Sequence, residues 1–414
     1  MEDHTHAEEI SIFNTFPTDT SLQSREWIEY LPANSVNSGS LEFNIPAQTS
    51  MYMDLKRSLL HLKIRLVDSS GVPIKEDVNA STINMPFHTM FRQIDVSFQQ
   101  TPLTKPEEYY AYKSYIDTIL RGNVKDRTIL SNSQMFFKET GNMDETDANG
   151  DNLGLFLRHQ RLKGGKIVDM EGPLLLDIFQ QQRLIVNGVA LTLKLWPNYD
   201  AFRIMSEDTS VKLQIVDASF KLCVQRLNPA IIVAHEKLFS DRHALYPYQR
   251  SVIKTLSVPQ GNYNVTADDV FQGLVPNRLV LGLVKSSAFS GDHKKNPLNF
   301  LPFDCNFVAL YVDGQSIPSK PLQPNYDQKN YVSCYRTLGT FGEDLDIDLN
   351  DYTKGYCLYV IDVNPYVTFD VKRRGHCRLD LKFAKAVPES LNLIIYASFP
   401  EVMYIDKTRS VNLQ

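Results

Sequence analysis

The chain has 414 residues and a formal net charge of −5, with 43% hydrophobic residues. This length predicts two or three globular domains. The negative net charge argues against nucleic-acid binding by the protein surface as a whole. The start of the chain is acidic, unlike a signal peptide, and no stretch approaches the roughly 18 apolar residues of a membrane span. The five cysteines form no CxxC pair, which predicts reduced thiols in a protein made inside cells.

The first 40 residues are polar and irregular. We expect them to form an N-terminal arm that is disordered alone or ordered by a partner. Phe13, Phe16 and Trp27 are nevertheless more apolar than a solubility tail requires. The alternative is that the stretch from Trp27 to Leu31 is the first strand of the first β domain.

From residue 41 onward, short runs of alternating apolar and polar residues are separated by turns, which is typical of β-strands. Residues 60–66 (LHLKIRL) alternate strictly and then meet the turn residues 68–71. Asn187-Gly188 lies between two apolar triplets, and Asp313-Gly314 follows another apolar run. Both dipeptides suit the positive φ angles of a type I′ turn, so each predicts a tight β-hairpin.

One helix is predicted, in a loop of the first half. Thr104 and Glu107 have the spacing of a capping box, and Pro106 lies in the first turn, where its missing N–H costs little. Apolar residues then recur every three or four positions as far as Gly122. The second half lacks these signals, so the helix is predicted for the first half alone.

The two halves of the chain share a motif. Residues 100–106 (QTPLTKP) recur as residues 315–321 (QSIPSKP), each time after a β-rich run and before a tyrosine cluster. Two further pairs of stretches bracket the motif in the same order: Ile45-Pro46 with Val258-Pro259, and the strands around Ala218 and Ala397. We therefore expect two copies of one β domain.

The distance between the copies changes along the chain. The two copies of the shared motif begin 215 residues apart in the sequence, whereas Ala218 and Ala397 are 179 residues apart. The first copy therefore contains an insertion, which we expect to include the polar stretch 139–152. Insertions of this kind lie in surface loops.

Short strands, hairpin turns and few helices favour all-β sandwiches. Two units of roughly 180 residues fit jelly rolls better than immunoglobulin-like domains of about 100 residues. We predict an all-β fold of two tandem eight-stranded jelly rolls with a short helix in a loop of the first. The predicted bounds are 1–40 for the arm, 41–225 for the first jelly roll and 240–410 for the second, with the connection after Asn228-Pro229.

The sequence predicts no catalytic, cofactor-binding or metal-binding residues. His4 and His6 are closely spaced, but they lie in the predicted arm. Residues 147–151 (DANGD) have alternating oxygen side chains, yet Phe156 stands where a calcium loop needs its bidentate acid. Residues 163–166 (KGGK) lack the first glycine and the hydroxyl of a phosphate-binding loop.

Two basic stretches remain, residues 158–166 and residues 372–378. Either is able to contact phosphate or a neighbouring acidic surface. A solvated turn is the simpler interpretation, given the acidic net charge.

Several stretches, in the same order along nearly the whole chain, resemble the double-jelly-roll major capsid proteins of the hexon type in adintoviruses and Polinton/Maverick elements. The resemblance covers about residues 28 to 411, whereas residues 10–27 match nothing in that family. The stretches that carry it are 52–55 (YMDL), 88–97 (HTMFRQIDVS), 110–112 (YAY) with 116–118 (IDT), 183–189 (RLIVNGV), 296–300 (NPLNF), 311–315 (YVDGQ), 318–324 (PSKPLQP) and 395–399 (IYASF) with Ile405-Asp406 and Arg409.

This resemblance implies a viral structural protein and not an enzyme: a major capsid subunit whose pseudohexameric homotrimers tile an icosahedral shell around DNA. The implied partners are the chain itself, neighbouring trimers, penton and minor capsid proteins, and packaged DNA through weak contact. The implied location is the virion capsid, after synthesis in the host cell interior. In such a shell we hypothesise that the arm, with Lys407 to Gln414, ties subunits together.

The alternative from another class is a carbohydrate- or receptor-binding jelly-roll protein. Such a protein would present a concave cluster of exposed aromatic side chains with Asp or Asn. The chain has two tryptophans, Trp27 and Trp196, which lie far apart in the sequence. An enzyme is the weakest of the three interpretations.

Overall fold

The computed structural model describes residues 20–36, 39–121, 127–340, 345–363 and 372–413. The strands of the first half are β1 (Leu22–Tyr30), β2 (Leu41–Ile45), β3 (Tyr52–Val67), β4 (Ala80–Thr82), β5 (Phe91–Phe98), β6 (Thr101–Pro102), β7 (Val168–Gly172), β8 (Leu191–Pro197), β9 (Ile204–Ser206) and β10 (Lys212–Leu227). Those of the second half are β11 (Ala244–Val258), β12 (Asn264–Ala267), β13 (Arg278–Lys285), β14 (Cys305–Val312), β15 (Gln315–Leu322), β16 (Leu358–Asp362), β17 (Cys377–Phe383), β18 (Leu391–Ile405) and β19 (Val411–Leu413).

The helices lie in the connections between the strands. They are α1 (Pro86–Thr89), α2 (Tyr110–Arg121), α3 (Arg127–Gln134), α4 (Leu153–Leu162), α5 (Asp177–Gln180), α6 (Asp200–Arg203), α7 (Pro229–Leu238), α8 (Ser286–Ser290), α9 (Val332–Thr337) and α10 (Leu349–Tyr352). Two single 3₁₀ turns follow α4 and α9.

The two halves have the same strand order. In the first half the sheets run β1-β10-β3-β7 and β2-β8-β5-β6, and in the second they run β11-β18-β13-β16 and β12-β17-β14-β15. When β4, β9 and β19 are left out, each half has eight strands. Taken in chain order, each of the eight strands of the first half has the same position in its sheet as the matching strand of the second half. Each half is therefore an eight-stranded jelly roll, and the predicted all-β, double-jelly-roll class is confirmed. The ribbon β4-β9 and the short strand β19 are additions to this plan.

The first strand belongs to the first jelly roll and not to an arm. Strand β1 pairs antiparallel with β10, with Tyr30 opposite Phe220, and holds the place that β11 holds in the second roll. The prediction that residues 1–40 form an arm and that the roll begins at residue 41 is therefore wrong from residue 22 onward. The reason is that β1 is an edge strand with mostly exposed side chains, so it lacks the alternation of a half-buried strand. Phe13 and Phe16 lie outside the described residues.

Burial along the central strands differs between the two rolls. In β3 the alternation is strict, because Leu60, Leu62 and Ile64 are fully buried and the residues between them are partly exposed. In β18 and β13 nearly every residue is buried. A strand buried on both faces needs a cover on the side away from its own sandwich. Here part of the first roll supplies that cover.

The shared motif marks equivalent hairpins, one residue out of register. Asp313 and Gly314 have φ angles of 50° and 82° and join β14 to β15, which confirms the predicted tight turn. The turn between β5 and β6 consists of Gln99 and Gln100, with φ angles of 47° and 67°. Gln100 therefore occupies the place of Gly314, whereas Gln315 already lies in a strand.

Two other predictions from local motifs are wrong. Ile45 ends β2 and Val258 ends β11, so these residues are not equivalent, because a proline can follow any strand. Asn187-Gly188 forms a turn but no hairpin. Its backbone and side chain instead bond to the loop after β2: Gly188 N–H donates to Gln48 O, and the Asn187 amide donates to Thr49 O.

The predicted helix begins later than its capping box. Helix α2 begins at Tyr110, and the Thr104 hydroxyl accepts a hydrogen bond from Val96 N at 2.9 Å. Thr104 thus extends the β5-β6 hairpin and cannot cap a helix. The corresponding connection of the second half also contains helices, α9 and α10, and Asp348 and Asp351 form a capping box at α10.

The predicted insertion lies between β6 and β7, the fifth and sixth of the eight strands of the first roll. Residues 103–167 join β6 to β7 and carry α2, α3 and α4, whereas residues 323–357 make the corresponding connection in the second roll. The stretch 139–152 lies within the longer connection. The linker between the rolls is helix α7, with Asn228 as its N-cap and Pro229 in its first turn.

Replacement of Gly314 by alanine is expected to lower the free energy of unfolding by about 1–2 kcal/mol, because a Cβ strains a residue with left-handed backbone angles. No atom lies within 4 Å of the position that the added methyl group would take, so the cost is conformational only. Gly339→Ala is the matched control, since Gly339 also has open space but no positive φ. Urea denaturation of both variants measures the difference, and equal midpoints would contradict this account.

Candidate functional site

The contact between the two jelly rolls combines buried aromatic side chains with a cluster of charged ones, and we take it as the candidate site. We call it the inter-roll junction. From the first roll it consists of α2, the loop 135–152 and the start of α5. From the second roll it consists of β11, β13, β18 and the loop 286–300.

Helix α2 inserts its apolar face into the core of the second roll. Tyr112 and Tyr115 are buried in the same hydrophobic cluster as the strands of that roll. The Tyr112 ring stacks on Phe289 with centroids 5.8 Å apart, and the Tyr115 ring stacks on Phe300 at 6.5 Å. Such aromatic pairs contribute about 0.5–1.5 kcal/mol each beyond the area they bury.

The exchange also runs in the opposite direction. Tyr246, Met403 and Ile405, at the ends of β11 and β18, are buried in the core of the first roll. Each roll therefore contributes apolar side chains to the hydrophobic core of the other.

A buried charge cluster lies at the centre of the junction. The Lys113 side chain is 12% exposed, and its ammonium lies 3.2 Å from Asp117, 3.1 Å from Asp177 and 2.6 Å from the carbonyl of Leu175. Burial alone would lower the pKa of Lys113, but the two carboxylates outweigh it and the pKa is raised. Lys113 is therefore charged at any ordinary pH and holds α2 to α5.

The same carboxylates extend to the second roll. The Tyr396 hydroxyl of β18 donates to Asp117 at 2.9 Å and lies 3.0 Å from the Ser251 hydroxyl of β11. The Ser251 N–H and hydroxyl donate to Asp177 at 2.7 and 2.9 Å. Each carboxylate is thus bonded to Lys113 on one side and to the second roll on the other.

The insertion loop makes a second polar attachment. Asp144 accepts hydrogen bonds from Lys285 at 3.1 Å, from Asn296 N at 3.0 Å and from Asn299 at 3.0 Å. Nearby, the Tyr356 hydroxyl bonds to the backbone of Glu139. The loop that the sequence singled out for its acids therefore serves as a contact between the rolls.

One glycine allows the close approach of the layers. A Cβ on Gly282 in β13 would lie 2.5 Å from Phe300 and 2.7 Å from Leu358. Phe300 is the ring on which Tyr115 stacks. The absence of a side chain at Gly282 therefore lets the Phe300 ring come close to β13, between that strand and α2.

The sequence motifs weighed for other chemistry have structural roles where they are described. Asp147 accepts a hydrogen bond from Asn79, and Arg158 forms a fully buried ion pair with Glu139 at 2.6 Å. Arg158 is therefore unable to contact phosphate. Lys372 is held by Glu401, while His4 and His6 lie outside the described residues.

Three further features concern the part of the chain that the structure describes. No three His, Cys, Asp or Glu side chains come together there as metal ligands. No described helix is long and apolar enough to cross a membrane. The five cysteines are free and buried, and burial raises the pKa of Cys305 to about 12.

Sequence reasoning did not find the junction. Asp117 and Tyr396 are separated by 279 residues, and no local motif links them. One signal was present in the sequence: β13 and β18 are continuous apolar runs instead of alternating ones. This pattern predicts a sheet that is covered on both faces.

Comparison with protein-family models finds no match for this chain. Among curated proteins, an uncharacterized protein of Caenorhabditis elegans is 24% identical over 429 residues, which span 95% of this chain and 98% of that protein. The similarity runs through both jelly rolls.

Solved viral structures share the fold. A chain of the Sputnik virophage covers 98% of this chain and 91% of its own length, with a TM-score of 0.68 and 12% identity. The mavirus major capsid protein covers 98% and 93%, with a TM-score of 0.57 and 10% identity. The Faustovirus major capsid protein covers 96% and 93%, with a TM-score of 0.57 and 10% identity. The two-roll architecture is therefore that of viral major capsid proteins.

Replacement of Lys113 by methionine is expected to destabilise the chain by about 3–5 kcal/mol, because it removes the cation that bonds Asp177 and leaves Asp117 with the Arg121 guanidinium at 3.4 Å. Lys63→Met is the matched control. Its ion pair with Asp217 at 3.4 Å is exposed, so the expected change is about 0–1 kcal/mol. Urea denaturation monitored by circular dichroism compares the two variants. A Lys113 variant as stable as the Lys63 variant would argue against a central role for the cluster.

Replacement of Gly282 by alanine is expected to cost about 1–3 kcal/mol, because the methyl group overpacks the contact with Phe300. The same measurement applies, with Gly339→Ala as the control in open space. Since the displaced Phe300 ring stacks on Tyr115 of the first roll, the Gly282 variant should also expose the junction to proteolysis. Wild-type stability would show that the layers are free to move apart there.

Proposed function

We propose that this chain is a major capsid subunit, whose pseudohexameric homotrimers tile an icosahedral shell around DNA. The observation that carries the proposal is the pair of jelly rolls with one strand order, fixed together by the inter-roll junction. Two like units in one rigid chain give a subunit two similar corners, so three subunits can close a ring of six. The mavirus and Faustovirus proteins of the same fold are major capsid proteins by name, which supports this function.

We propose further that the shell is of the adintovirus or Polinton/Maverick type. The sequence stretches that resemble that family support this assignment, among them residues 296–300 and 311–315. The proposed partners are neighbouring trimers, penton and minor capsid proteins. The exposed residues Arg373 and Arg374 support a weak contact with packaged DNA, and the free, buried cysteines are consistent with synthesis in the host cell interior.

The carbohydrate- or receptor-binding alternative gains no support from the tryptophans. Trp27 is half exposed on β1, whereas Trp196 lies on β8 in the opposite sheet. Lys194 covers the Trp196 ring at 4.5 Å, and the indole N–H donates to Asp95 at 2.7 Å. The two rings therefore belong to different surfaces and cannot form one sugar platform.

The purified full-length chain is expected to be a stable trimer, with a mass three times 47.3 kDa. Interfaces of an obligate ring should bury above about 2,000 Å². Sedimentation equilibrium at micromolar concentration measures the mass, and negative-stain microscopy should show particles with a six-cornered outline. A monodisperse, folded monomer under these conditions would overturn the capsid proposal.

A further inference from the structure

A groove opens beside the linker helix, where the start of β11 meets the first roll. Its volume is about 450 Å³. It lies between α7, the start of β11 and the segment that precedes β8. Its apolar lining includes Leu184, Leu227, Leu238 and Leu245.

The helix beside the groove is unusually apolar for its exposure. Its sequence contains Ile231, Ile232 and Val233 in succession, yet none of its residues is buried. Val233 is 55% exposed, Leu238 54% and Leu245 50%. Ile231 and Ile232 pack against the core of the first roll, whereas Leu238 and Leu245 line the groove, and exposed apolar side chains of this kind mark a site that another segment covers.

The rim of the groove is basic. Arg183, Arg242, His235 and His243 belong to its lining, and no carboxylate is among the described residues that line it. A segment that combines apolar side chains with acidic ones would match both features.

The N-terminal part of the chain begins at this groove. Leu22 pairs with Leu227, which lines the groove. The Asn228 N–H donates to Ser21 O at 2.9 Å, and the Asn228 amide donates to Thr20 O at 3.4 Å. Residue 20 is therefore fixed at the first turn of α7, and the residues before it start from there.

Those residues have the length and the chemistry that the groove requires. Ten residues in extended form reach roughly 33 Å, more than twice the length of about 15 Å of a ten-residue helix such as α7. Residues 10–19 (ISIFNTFPTD) contain four large apolar side chains, and residues 1–9 contain four acids.

We propose that residues 10–18 dock into the groove of their own subunit, along the exposed face of α7. Phe13 and Phe16 would cover the apolar lining, and the acids that precede them would face the basic rim. This proposal stands on the groove and the position of residue 20, so it does not depend on the capsid role. It differs from the sequence-based hypothesis that the arm ties neighbouring subunits together.

Cysteine cross-linking of the full-length chain tests the proposal. The five native cysteines are buried, so a short bismaleimide reagent should react mainly with introduced ones. We expect the Phe16→Cys, Leu238→Cys variant to form an internal cross-link several-fold more than the control Phe16→Cys, Tyr263→Cys, in which the second position is exposed but distant from α7. Mass spectrometry of the monomer band identifies the product.

The outcomes separate the competing explanations. Cross-linked dimers in place of the internal product would mean that the segment of another copy fills the groove, and would overturn docking within the subunit. Equal, low cross-linking in both variants would overturn any docking.

Hydrogen exchange provides a second test without introduced cysteines. In the Leu238→Asp, Leu245→Asp variant, the amides of residues 10–18 should exchange several-fold faster than in the wild type, because charged groups in the groove repel the apolar segment. Val332→Asp is the control at a comparably exposed position in the second roll. Unchanged exchange in the groove variant would overturn the proposal.

Discussion

The rest of this structure depends on one constraint: the central sheet of the second roll is apolar on both faces and must be covered by the first roll. Helix α2 provides the cover, and it brings Lys113 with it. An ammonium group in that position is stable only because Asp117 and Asp177 bond to it. Those carboxylates also accept hydrogen bonds from Tyr396 and Ser251, so burial of the charge and attachment of the rolls are a single arrangement.

The junction also explains where the two rolls differ. The strand order is shared, but the connection between the fifth and sixth strands is longer in the first roll because it carries α2 and the loop with Asp144. The second roll uses its corresponding connection to fill its own core, with Tyr331 stacked on Tyr352. The insertion is thus the part that joins two similar domains into one unit.

Much of the fold could be predicted from the sequence wherever the signal was local. The alternation in β3 and the Asp313-Gly314 turn are set by adjacent residues, and both predictions are confirmed. Thr104 and Asn187-Gly188 have equally good local motifs, but their polar groups bond to distant backbone, so tertiary contacts decide their structure. Strand β1 was missed because an exposed edge strand buries too little to need an apolar face.

The candidate site was much harder to predict, since its polar members are ordinary residues until the chain folds. Nothing near Lys113 in the sequence marks it as a buried cation, and Tyr396 lies in a run that is typical of a core strand. The sequence did contain one sign of the junction. Gly282 lies in a continuous apolar run, and a strand of this kind must be covered by other parts of the protein on both faces. A sheet that needs the other roll for its cover cannot separate from it without exposing that surface. The two rolls are therefore expected to move as one body, which is the rigidity that the proposed capsid subunit requires.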